Sequence, residues 1–294
     1  MFKHRIMDRK KFLKNSLLIG TGVAGLSKLS ASKKDSTYDK LMDNIGFNHL
    51  PLEENKTMKS VYHPANTRGH ANHGWLDTHH TFSFATYRNP DRMNFGVLRV
   101  LNDDVVTGGR GFAKHPHDNM EIISIPMSGD LQHMDSMGNQ AIIKEGDIQV
   151  MSAGTGIYHS EKNKNQNKDV RFLQIWLFPN KRGVSPRYDQ ISLSKISKPN
   201  QLNQVLSPSK DDQGVWIHQN AWFHMGEYKK ATEETYCIKN EGNGLYTFVL
   251  EGEVTINNQK LSKRDGYGVW DTEDVSIKST AGSKILLMDV PMKV

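Results

Sequence analysis

Two short histidine patterns carry the chemistry this sequence suggests, His115-Pro116-His117 and His159-Ser160-Glu161. Imidazole nitrogens and carboxylate oxygens both offer lone pairs to borderline divalent metals. In an extended strand, side chains two residues apart leave the same face. Each pattern therefore aims two groups one way, and two such strands side by side would bring three imidazoles and a carboxylate to one point. Spacing leaves the carboxylate open between two candidates. Glu121 lies four residues after His117 and would share its face in a regular strand, while Glu161 shares the face of His159. Whichever is not a ligand would orient an imidazole or handle a proton.

This donor set suits one divalent ion, with Fe(II), Mn(II), Ni(II), Co(II), Cu(II) and Zn(II) all compatible. An octahedral ion held by four protein groups keeps two positions for a substrate oxygen and O₂ or water. A structural zinc site would be closed and cysteine-rich. Cys237 is the only cysteine, which excludes such a site and any internal disulfide. Catalysis or ligand sensing follows. His63, His70, His73, His79 and His80 read as loop and strand-edge residues around Trp75. Met120, Met127, Met134, Met137 and Met151 read as core fillers, and Trp176 and Phe178 as buried strand residues.

The elements that must hold these groups are strands. Thr81–Ala85 and Phe95–Leu101 alternate, Glu121–Met127 and Leu131–Met134 are short apolar runs, and Ile148–Met151 follows a Glu-Gly-Asp turn. Val170–Phe178 is a long buried strand. Strands at such intervals predict a sandwich or barrel. Residues 181–214 hold three prolines and read as a connector. A second series follows, clearest at Leu245–Leu250, Val254–Asn257, Tyr267–Trp270, Val275–Lys278 and Ile285–Val290. Both halves repeat strand, Gly turn, strand, Asp-Gly turn, which favours two similar β domains. The second half lacks the paired metal patterns. One metal, in the first half, is the expectation.

Residues 1–34 hold nine Lys and Arg against one acid, while the remaining 260 carry 29 bases and 31 acids, a net of −2. The overall net charge of +6 thus belongs to the N-terminus, and no nucleic-acid face is expected on the folded body. Residues 1–32 show a basic region, a short apolar stretch from Leu17 to Leu26 and small residues near Ala31. They read as a cleavable export signal, too short in its apolar part to span a bilayer. Asp8-Arg9-Lys10-Lys11-Phe12-Leu13-Lys14 resembles a twin-arginine signal with Arg-Lys at the pair. A periplasmic protein with no membrane anchor after cleavage is expected, a cytoplasmic one being the alternative. Residues 33–60 read as a polar linker with one short helix near Tyr38–Ile45.

Gly109, His115, His117, Glu121 and Gly129 are spaced as in the first cupin motif, and Gly146, Ser152, Gly154 and His159 resemble a variant of the second. The match is closer still to the pirin family of two-cupin proteins. Arg68–Asp77, Thr81–Phe84, Asp135–Asn139, Ser152–Ile157 and Pro186-Arg187-Tyr188 all resemble pirin segments. The resemblance spans about Val61 to Val294 and implies an all-β bicupin of two jelly-roll barrels. The metal-binding cupin would occupy 61–180 and a metal-free cupin 215–294. It implies one metal, usually iron, on His115, His117, His159 and Glu161, with Glu161 also catalytic and Glu121 beside the ligands. Bacterial relatives of this pattern imply quercetin 2,3-dioxygenase activity, on a flavonol and O₂; for the chain itself a monomer is expected. Animal relatives imply the alternative, a non-enzymatic regulatory module that senses redox state through its metal.

Overall fold

The computed structural model describes residues 57–294. The expected export signal at 1–32 and most of the 33–60 linker, with its short helix, lie outside the described residues. Twelve strands come first: β1 (Lys59–His63), β2 (Gly69–Asn72), β3 (Leu76–His80), β4 (Leu98–Val106), β5 (Gly111–His117), β6 (Glu121–Ser128), β7 (Leu131–Asp135), β8 (Gln140–Ile143), β9 (Asp147–Ser152), β10 (Ile157–Asn163), β11 (Val170–Leu177) and β12 (Arg187–Ser192). Ten more complete the chain: β13 (Leu202–Ser207), β14 (Val215–Trp216), β15 (Trp222–Tyr228), β16 (Thr232–Cys237), β17 (Asn243–Glu251), β18 (Glu253–Ile256), β19 (Gln259–Ser262), β20 (Gly266–Trp270), β21 (Asp274–Ser279) and β22 (Ser283–Pro291).

They form two barrels, each a seven-stranded sheet closed by a four-stranded one. The first has strand order β12-β9-β6-β11-β4-β3-β2 facing β5-β10-β7-β8; the second has β1-β20-β17-β22-β15-β13-β14 facing β16-β21-β18-β19. This is the two-jelly-roll, all-β architecture that the sequence implies. Leu76, Val106 and Phe172 of the large sheet meet Leu131 and Ile143 of the small one inside the first barrel. The largest core lies between the barrels, where Leu101, Ile123, Val150 and Ile175 of one large sheet pack with Phe223, Phe248, Leu286 and Met288 of the other.

That arrangement explains two kinds of strand sequence. β6, β9, β17 and β22 are buried over almost their whole length, because one face fills a barrel and the other meets the second sheet. They read as continuous apolar runs. In the small sheets one face meets water, so β10 alternates buried and open positions.

Three segments behave differently from their composition. β1 pairs with β20 of the second barrel, Val61 opposite Gly268, so the end of the expected linker is the edge strand of the C-terminal sheet. The expected connector at 181–214 supplies β12, paired with β9, and β13, paired with β15. Thr81–Ala85 is not a strand, contrary to its alternation. Phe82 packs on His63 and Tyr246, whereas Phe84 packs on His80 and Trp176, so one loop serves two cores.

Candidate metal centre

β5 and β10 run antiparallel with His115 directly opposite His159. Their rings therefore share a face, and His117, two residues along, joins them. Ring centroids are 4.4 Å apart for His115 and His159, and 4.9 Å for His117 with each of the others. The nearest ligating nitrogens of all three lie within 4.8 Å of one another. Between His159 and Glu161 the register slips by a bulge, which sets Glu161 opposite Phe112 rather than Ala113. Bulges re-aim side chains next to sites in this way. The approach of strands here is close: a Cβ on Gly111 would lie 2.2 Å from the carbonyl oxygen of Glu161.

The nitrogens are prepared to donate lone pairs. His115 Nδ1 donates to the carbonyl of Ala113 at 2.8 Å, which turns Nε2 toward the cluster. That Nε2 stands 3.0 Å from Nε2 of His159. Burial, then the neighbouring imidazoles, hold His159 at a pKa of about 2. Burial and His115 likewise hold His117 down at about 4. Both rings are thus neutral at pH 7. Nε2 of His117 is buried with no hydrogen-bond partner. Two cis ligands each ~2.1 Å from one ion would be roughly 3 Å apart, so the His115–His159 separation fits a shared ion. An orphaned, buried Nε2 beside that pair fits the same conclusion, since buried polar groups otherwise find partners.

Glu161 lies near the cluster on its inner side. Its carboxylate and the ligating atoms of His133 and His159 are within 4.8 Å of one another. Its Oε1 faces the Ser124 hydroxyl at 3.0 Å, and its Oε2 faces Nε2 of Gln174 at 3.4 Å. Burial raises its pKa from the usual range to about 7, with both hydrogen bonds opposing the rise. Glu121 is placed elsewhere. Asn119 takes a left-handed conformation with φ of 44°, and this turn ends the alternation that runs through His117. Glu121 accepts from Ser152 Oγ at 2.7 Å and from the backbone N–H of His218, so it faces the junction between barrels rather than the imidazoles. The expected place beside the ligands is corrected accordingly.

His133 is a residue that the sequence reading passed over. It lies opposite Glu161 on β7, fully buried, with its ring 5.3 Å from that of His159 and 4.8 Å from Tyr188. Its Nε2 faces Asp135 Oδ2 at 3.2 Å. The signal was present as His133-x-Asp135, a same-face pair on a short strand. Beside the cluster opens a cavity of about 330 Å³, walled by Phe84, Phe112, Phe172 and Trp176 and by the polar groups of Thr78, His80, Asn102 and Asp104. His115, His117 and Glu161 also border it.

A double β-barrel protein with a three-imidazole cluster in its N-terminal barrel is a bicupin of the metal-binding type. The particular family is pirin, and the chain belongs to it. Residues 61–177 match the family model "Pirin", and residues 204–290 match "Quercetinase C-terminal cupin domain". The chain is 43% identical over 227 residues to a protein named quercetin 2,3-dioxygenase from Escherichia coli (strain K12), covering 77% of this chain and 96% of that one. A pirin-like protein of Caulobacter vibrioides is 36% identical, with 77% and 97% covered. Among solved structures, the bacterial pirin YhhW from Escherichia coli in complex with nickel(II) superposes with a TM-score of 0.76 at 40% identity, covering 80% of this chain and all of that one.

Proposed function

We propose that the chain is a metal-dependent dioxygenase of the quercetin 2,3-dioxygenase type, with one divalent ion, Fe(II) first among candidates, held by His115, His117, His159 and Glu161. The observation that carries this reading is the convergence of three imidazoles, His115, His117 and His159, beside a largely aromatic cavity that the first two border. The relatives bearing that activity's name, and the nickel-bound relative, support it. A divalent ion bound there supplies Lewis acidity toward a substrate oxygen and a path for electrons between the organic substrate and O₂.

The protein's own groups do the rest. Phe84, Phe112, Phe172 and Trp176 give flat apolar surfaces to a fused aromatic ring system and keep water from it. Thr78 and Asp104, hydrogen-bonded to each other, and Asn102 offer partners to ring hydroxyls. Glu161 accepts the proton of the hydroxyl adjacent to the cleaved bond. In the metal-free protein burial raises its pKa to about 7, so the pocket holds this carboxyl within reach of both protonation states near neutrality. The balance is one flavonol and one O₂ to one ring-opened ester and one carbon monoxide.

The test is O₂ uptake and carbon monoxide release by iron-loaded protein with quercetin, with an anaerobic control that should show no loss of flavonol. Turnover is expected. If protein loaded in turn with iron, manganese, nickel, cobalt and copper never turns over, the dioxygenase reading fails. The non-enzymatic metal-sensing reading would then take its place.

A further inference from the structure

The hairpin β2–β3 carries a second group of metal-ligating side chains, on the face that points away from the cavity. His70 of β2 is directly opposite His79 of β3, and Asp77 lies two residues before His79 on the same face. The strands' burial patterns confirm the two faces. Leu76, Thr78 and His80 are buried, whereas Asp77 and His79 between them are partly open and His70 is exposed. The two imidazole rings stack with centroids 4.4 Å apart and 22° between planes. Nε2 of His70 meets Oδ1 of Asp77 at 2.8 Å, and Nδ1 of His79 is 3.9 Å from the same oxygen. All three ligating atoms lie within 4.8 Å of one another.

We propose that His70, Asp77 and His79 form a metal site separate from the barrel cluster, taking a borderline ion such as Zn(II), Co(II), Ni(II) or Cu(II). Two imidazoles and one carboxylate on one face select such ions over Ca(II) and Mg(II), which prefer all-oxygen sets. Little rearrangement is needed. The three Cα positions are fixed by the β2–β3 ladder and, on the β3 side, by pairing with β4. The turn is also held: Asn72 Oδ1 accepts from the N–H of Gly74, which has a φ of 80°. Solvent reaches the ligands, with side-chain exposures of 51% for His70, 42% for Asp77 and 38% for His79. Those exposures leave room for water to complete the coordination sphere.

The site has a consequence for the cavity. β2 is the edge strand of its sheet, tied only to β3. Its inward residue Ala71 and His73 just beyond its end, with Leu76, Thr78 and His80 of β3, line the cavity beside the barrel cluster. An ion bridging His70 to Asp77 and His79 staples that edge strand and so stiffens one cavity wall from outside.

The experiment uses the metal-free full chain titrated with Co(II), counting bound equivalents by equilibrium dialysis and reading the visible absorption of the bound ion. Two equivalents are expected for wild type, one for His79→Phe, which keeps a stackable ring but no ligand, and one for Asp77→Asn. The double variant His115→Ala/His159→Ala should also bind one, through the hairpin, so a failed barrel centre leaves this site visible. Hydrogen exchange supplies a second readout. With Zn(II) at about ten times its Kd, amides of β2 in the double variant should exchange roughly tenfold more slowly, as linkage requires. Adding His79→Phe to that double variant should abolish the slowing. Equal stoichiometry in wild type and His79→Phe, or no protection of β2 by Zn(II), overturns the proposal.

Discussion

At Glu161 a carboxylate faces a serine that has one proton to give and two oxygens asking for it. Ser124 Oγ lies 3.0 Å from Oε1 of Glu161 and 2.8 Å from Oε1 of Gln174. The hydroxyl's bond to Glu161 favours the carboxylate, while burial favours the neutral acid and prevails, raising the pKa to about 7. The sign of the linkage follows. The folded pKa is above the ordinary 4.5, so the contribution is full below pH 4.5 and is lost as pH rises to about 7. For metal-free protein, Glu161→Gln should therefore match wild type near pH 4 and exceed it by roughly 3 kcal/mol at pH 8, read by denaturant melts. Loaded with metal, the same variant should lose about 100-fold or more in turnover if Glu161 has the proposed role, because a charged ligand and proton acceptor would become a weak neutral one. Glu121→Gln should leave turnover within about threefold, since Glu121 contacts Ser152 and the His218 backbone instead. The three imidazoles of His115, His117 and His159 were legible in sequence because strand alternation groups them, whereas alternation left Glu121 and Glu161 open and only the family resemblance favoured Glu161. His133 was harder to read, since it matters only once β7 is laid against β10. Glu121 misled for the opposite reason: counting by twos ran through the turn at Asn119.

Among the elements, β5 and β10 decide whether the imidazoles meet. Their bulge and the missing side chain at Gly111 let the strands approach closely enough for His115 to oppose His159. Gly111→Ala should push β5 away from the Glu161 carbonyl. A destabilisation of about 1–3 kcal/mol is expected from the overpacking. Metal affinity should fall at least tenfold, because the cluster depends on ring placement to within about half an ångström. Thermal melts of the metal-free protein and metal titration check the two parts. Unchanged affinity would show that β5 does not set the cluster. Most strands were readable as apolar runs or alternations between Gly turns. Among those that were not, β12 is a half-buried edge strand, where polar residues are tolerated, and β13 is an inner strand that mixes Asn203, Gln204 and Ser207 with its apolar residues, both in a proline-bearing stretch. The alternating Thr81–Ala85 imitated a strand because its two faces meet two different cores.

For the whole molecule, the core between the large sheets joins the barrels into one stability unit. Leu286, on β22, is fully buried in the cluster that also holds Ile123, Val150 and Ile175 of the first barrel. That sharing was not visible in sequence, where the halves looked like two domains in series with a linker between. It explains why β6, β9, β17 and β22 are buried along almost their whole length: the central strands of each large sheet have a barrel interior on one side and the other barrel on the other. Leu286→Ala leaves a cavity at the junction and should cost about 2–5 kcal/mol. If the barrels unfold together, the variant should show a single calorimetric transition at lower temperature, with β6 and β11 amides exchanging faster by the same free energy as those of β17 and β22. The ratio of calorimetric to van't Hoff enthalpy should stay near unity, roughly within experimental error. Two separated transitions, with only the C-terminal one displaced by Leu286→Ala, would mean that the barrels fold independently. The shared core would then be an interface rather than a common interior.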